Sequence, residues 1–277
     1  MQVVIFLSIA FLFSWAIALW MSIQGGFLEL GAGFATLYLA LYMAGPSIAA
    51  GVVTRIYERE NRLTLLGFSL KNFQKTFAMV LLGWSLPIVL AILSNILSNV
   101  LGGVDLIAPH LQGADYRHLF LALFVAIPAN TVWMILTEEL GWRGWLQPQL
   151  MHQLMHLGFW PMCLITGAIW GLWHAPIIAM GYNYPDLGLW GPILMIVFCV
   201  LLTPYLAVMR ELGGIYAPSA LHGSLNAVGG LSLLFLGPHT GWVWNGIMGV
   251  GGFIVMVMGW ALIARKCSKS GGKRMNF

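Results

Sequence analysis

Eight stretches of about twenty residues, each nearly free of charge, dominate this 277-residue chain and leave few folds open to it. They run at about 2–23, 30–54, 77–101, 118–138, 161–181, 190–209, 214–236 and 242–264, and each is long enough to cross roughly 30 Å of hydrocarbon. Charged residues make up 8% of the chain, against about a quarter in an ordinary soluble domain. The mean hydropathy is +0.85. The expectation is an all-α polytopic membrane protein: eight transmembrane helices in one bundle, residues 1–277 forming a single integral membrane domain without a linker or soluble module. The first stretch lacks a basic flank, exceeds the length of a signal-peptide core and leads at once into further spans, so it reads as a retained helix.

Orientation follows from the thirteen basic residues. Arg55, Arg59, Arg62, Lys71 and Lys75 lie between the second and third stretches, Arg143 after the fourth, Arg210 after the sixth, and Arg265, Lys266, Lys269, Lys273 and Arg274 after the last. Only Arg117 falls in an odd-numbered loop. The positive-inside rule then places both termini in the cytoplasm, and an odd number of spans would break the agreement. The formal charge of +4 reflects this topology and attraction to anionic lipid. It gives no case for nucleic acid.

Cys163, Cys199 and Cys267 have no spacing that suggests a disulfide framework or a Cys-x-x-Cys site. The first two read as core residues; Cys267, among basic residues past the last span, reads as a free thiol, with palmitoylation as the alternative. Residues 55–76, with Leu63–Leu70 at their centre, suit an interfacial amphipathic helix, 144–160 suit a helix on the inner surface, and 102–117 form an outer loop. No internal repeat supports a transporter built from two related halves.

Polar residues inside the apolar stretches are few. A carboxylate at hydrocarbon depth costs several kcal/mol unless paired, hydrated or neutralised, so Glu138 and Glu139 mark a functional place. On an α-helix Glu139 and Arg143 are four apart and can pair, while Glu138 points about 100° away. His174 stands in an apolar stretch two residues before Pro176, which kinks or ends a helix. His222 and Asn226 are four apart and share one helical face, with Gly223 leaving room for a close backbone. Counted from the cytoplasmic ends, His222 lies roughly 12 Å deep, Asn226 about 18 Å and His174 about 20 Å. Glu138 is shallower, unless the fourth span stays helical past Arg143 and the fifth begins later than Pro161.

A carboxylate and a neutral histidine can together polarise a water, or hold a metal that does so, while histidine and asparagine supply donors to an oxyanion. That is a minimal set for amide hydrolysis. No serine or cysteine sits in a nucleophile motif, and His-Glu-x-x-His is absent. His152 and His156 have four-residue metal spacing but no acidic neighbour, so they read as one face of a surface helix.

At these residues the chain resembles the intramembrane endopeptidases of the CAAX prenyl protease type II and bacteriocin-processing group, the CPBP or Abi family. Glu138, Glu139 and Arg143 match its Glu-Glu-x-x-x-Arg motif. Trp170 and His174 match its aromatic-x-x-x-His motif, with tryptophan where phenylalanine is usual. His222 and Asn226 match its third. The resemblance covers about residues 118–236, the expected catalytic core.

It implies that Glu138 and His174 activate water, that His222 and Asn226 stabilise the oxyanion, and that Glu139 and Arg143 give structural support. It leaves open whether a divalent metal such as zinc takes part, in which case Glu138, His174 and His222 would hold it. The implied substrate is a membrane-associated or lipidated peptide or protein, met within membrane lipid, and the implied location is the cytoplasmic membrane if the source is bacterial. The alternatives are a non-enzymatic immunity or sequestration scaffold of the same fold and a proton-coupled carrier.

Overall fold

The computed structural model describes residues 1–58, 61–70, 72–106, 113–154, 157–185, 187–229 and 241–269. Among them the secondary structure is helical, with no strand element. The principal helices are α1 (Gln2–Ile23), α2 (Gly31–Met43), α3 (Gly45–Tyr57), α4 (Phe73–Val100), α5 (Tyr116–Gln153), α6 (Phe159–Trp173), α7 (Trp190–Gly213), α8 (Tyr216–Val228) and α9 (Val250–Lys269). Gln2–Ile23, Gly31–Tyr57, Phe73–Val100, Tyr116–Gln153 and Trp190–Gly213 are long and apolar enough to cross a membrane, and Phe159–Trp173 and Val250–Ala264 are shorter apolar helices. Large apolar side chains such as Leu12, Ile23, Phe77, Ile92, Phe124 and Val132 are exposed. An apolar exterior of this kind suits lipid rather than water.

Two compact units are present. The first comprises Met1–Ser69 and Ile135–Thr203, the second Leu70–Met134 and Pro204–Phe277.

In the first unit the apolar stretch after residue 30 breaks into α2 and α3 at Ala44. Pro46 has no N–H for the Tyr42 carbonyl four residues back, and the Ser14 hydroxyl of α1 donates to that carbonyl at 2.7 Å instead. The core of the unit is aromatic. Phe6 stacks on Trp145 at 4.8 Å between centroids and meets Trp142 edge-on at 5.8 Å, and Trp142 in turn meets Trp173 edge-on at 5.6 Å. Helix α6 lies against α7 through Gly167 and Gly171, four apart. A Cβ on either would come within 2.6 Å of the Val200 Cα or 2.5 Å of the Ile196 Cα respectively, so only glycine allows this approach.

Helix α6 ends at Trp173 and a short helix, Ala175–Ala179, follows, as Pro176 predicts. The Trp173 carbonyl accepts hydrogen bonds from Trp15 Nε1 at 3.1 Å and from the Tyr42 hydroxyl. The backbone next to His174 is thus tied to α1 and α2.

Helix α5 departs most from expectation. It stays helical past Arg143 to Gln153, so residues 147–153 extend α5 instead of forming a separate surface helix. Residues Ile135–Leu146 form a π-helix, whose i→i+5 hydrogen bonds are rare and favour functional sites. The 100° step of an α-helix does not hold in this segment. Helix α6 begins at Phe159, earlier than the depth argument asked. Of the expected interfacial helix, a single turn, Arg62–Leu65, is present.

In the second unit α8 packs against α4 and α5. Ser224 Oγ donates to the Trp84 carbonyl at 2.7 Å, and Trp84 Nε1 donates to Thr131 Oγ1 at 2.9 Å. Gly223 permits the close approach read from the sequence: a Cβ there would lie 2.5 Å from the Thr131 nitrogen.

Candidate active site

The two adjacent glutamates have different partners. Arg143 Nη1 lies 2.9 Å from Glu139 Oε1, with both side chains fully buried. This is the pairing expected from their spacing, and it holds in the π-helical turn. Trp170 Nε1, on α6, donates to Glu138 Oε2 at 2.8 Å. The Arg143 guanidinium lies over the Trp170 ring at 4.0 Å from its centroid, a cation–π contact worth up to about 2 kcal/mol when desolvated. The indole therefore meets Arg143 with its face and Glu138 with its edge. Glu138, Glu139, Arg143 and Trp170 are all nearly or wholly buried.

His174 stands one turn after Trp170. Its Nδ1 lies 2.9 Å from the Trp170 carbonyl oxygen. A carbonyl only accepts, so Nδ1 carries the proton, and in the neutral ring Nε2 is the acceptor. That nitrogen is 3.9 Å from Glu138 Oε2. The gap is too long for a direct hydrogen bond and has the length that one water, ~2.8 Å from each atom, can span. The first unit thus places a carboxylate and an acceptor nitrogen around a position that suits a water.

His222 and Asn226 project from α8 in the second unit. His222 is buried, at 4% exposure. Asn226 is exposed and donates from Nδ2 to the Met134 sulfur at 3.4 Å. The sequence pairs placed within a unit, Glu138 with His174 and Glu139 with Arg143, are in contact or within one water of it. His152 is exposed, and His156 lies outside the described residues.

A zinc-type centre takes at least three protein ligands. Among the described residues no group of three or more His, Cys, Asp and Glu side chains is placed to hold a metal ion.

In the sequence Trp170 is the aromatic member of a motif, with no chemical role of its own. The signal was present, since tryptophan in place of phenylalanine adds one N–H donor, but its target was not legible. Ser47, whose hydroxyl donates to the Thr137 carbonyl beside Glu138, gave no signal.

Residues 119–228 match the family model described as type II CAAX prenyl endopeptidase, Rce1-like. The chain carries a CAAX protease family domain. No curated protein matches the chain. The matched CAAX protease region contains Glu138, Glu139, Arg143, Trp170, His174, His222 and Asn226. The match to a protease family over these residues and the five helices long and apolar enough to cross a membrane together suit a multi-pass membrane protein.

Proposed function

We propose that the chain is an intramembrane endopeptidase that hydrolyses a peptide bond of a membrane-associated or lipidated substrate. The observation that carries this reading is the apposition of Glu138 Oε2 and His174 Nε2 across 3.9 Å. A water between them gives one hydrogen to each and turns its oxygen to the scissile carbonyl. As it attacks, Glu138 takes a proton and the carbonyl oxygen becomes an oxyanion, for which His222 and Asn226 are the donors. Collapse of the tetrahedral intermediate expels the amine, which takes the proton back from Glu138. Glu139 and Arg143 hold the segment that carries the base.

The proposed topology is eight crossings with both termini cytoplasmic. Its support is the basic-residue pattern together with the five long apolar helices and two shorter ones. Residues 230–236, the end of the expected seventh crossing, lie outside the described residues.

Purified protein reconstituted in lipid vesicles with a peptide library, including carboxy-terminal Cys-a-a-X peptides with and without a prenyl group, tests the activity. Mass spectrometry reads any cut. Cleavage of prenylated peptides alone identifies a lipidated substrate. Cleavage of none by the wild type contradicts the enzyme reading and leaves the scaffold or carrier.

A further inference from the structure

We propose that Trp170 is a positioning residue for the catalytic base, and that Glu139 and Arg143 act on Glu138 through it. This rests on the protease reading above and extends it to a residue that no motif role covers.

Three contacts form a chain. Glu139 Oε1 holds Arg143 at 2.9 Å, Arg143 lies 4.0 Å over the Trp170 ring, and the same ring donates its N–H to Glu138 Oε2 at 2.8 Å. An indole has one donor in a fixed direction in its plane. A cation held over its face fixes the plane, and the plane then fixes where the donor points. Trp170 also presents its carbonyl to His174 Nδ1 at 2.9 Å, which selects the tautomer with its acceptor nitrogen toward Glu138. One residue thus orients both groups that face the water position. Gly167 and Gly171 flank it and let α6 sit close against α7, so the ring is built on a closely packed helix.

Phenylalanine at 170 keeps the π-face for Arg143 and loses the donor. A hydrogen bond to a charged acceptor is worth enough to change a rate by about 10- to 100-fold. Unlike a packing defect, loss of this donor matters only while Glu138 is a carboxylate.

The test has two independent parts. The first uses protein labelled with 15N at the tryptophan indoles, in detergent micelles. The cross-peak lost in Trp170→Phe is that of Trp170, and it should move when Glu138→Gln replaces the charged acceptor. A Trp170 peak that does not move overturns the proposal. The second part is kinetic, on a peptide cleaved by the wild type. Trp170→Phe should lower kcat by about 10- to 100-fold, with KM unchanged, and should cost nothing further in kcat in a Glu138→Gln background.

Where Trp170→Phe folds poorly, β-(3-benzothienyl)alanine at 170 keeps the bicyclic shape, replaces the N–H with sulfur and should give the same kinetic loss. An unchanged kcat in either variant, or an equal further loss in the Glu138→Gln background, overturns the positioning role. A moving peak with no wild-type turnover on any peptide overturns the protease reading and supports the hydrogen-bond chain.

Discussion

Arg143 closes on Glu139 at 2.9 Å inside the first unit, while Glu138, the preceding residue, is bound instead by Trp170. Adjacent carboxylates in a membrane protein are easily taken as equivalent. Their partners separate them: one neutralises a buried guanidinium, and the other faces a histidine.

The two glutamates should therefore fail differently. Removing one partner of a buried ion pair leaves the other charge uncompensated, at a cost on the order of 3 kcal/mol. Glu139→Gln should lower the melting temperature by several degrees and leave measurable turnover. Thermal denaturation beside a cleavage assay checks this. Near-complete loss of turnover with unchanged melting would show that Glu139 belongs to the chemistry.

The oxyanion donors should appear in kcat. His222→Ala and Asn226→Ala should each reduce kcat by about 10²- to 10³-fold, as loss of one such donor does elsewhere. Their double mutant should fall short of the product, because in the proposed mechanism the two serve one oxygen. A proton-coupled carrier would instead keep its transport in both variants and respond to membrane potential.

Topology gives a third test. Reporters fused after Ala264, and in the loop at Arg62, should both read cytoplasmic, while one inserted at Asp105 should read on the outer side. A reporter after Ala264 that reads outside would make the number of crossings odd.

Much of the fold was legible because hydropathy is a bulk property. The ends of α1 and α7 fall within a few residues of the apolar stretches that predicted them. Local breaks depended on single residues. Pro46 splits one apolar stretch and Pro176 ends α6 early, and a hydropathy window averages both away.

The extension of α5 was hidden for another reason. Charge ended the expected span at Glu138, but Glu139 and Arg143 neutralise each other at full burial, so the helix continues. Nothing in the order of residues encodes the π-helical turn, because its hydrogen bonds are chosen by packing around the segment. In the candidate site, spacing along one helix predicted the Glu139–Arg143 pair. The contacts of Trp170 join different helices, and no spacing reports them.

The account rests most on Glu138 as the base that activates water. The direct measurement is kcat of Glu138→Gln against wild type, in lipid vesicles with a peptide the wild type cleaves, and with melting recorded for both. Glutamine keeps the shape and cannot take the proton. The expected result is a fall in kcat of at least about 10²-fold at an unchanged melting temperature. A kcat within about tenfold of wild type would contradict it, and would place the base at a residue other than Glu138.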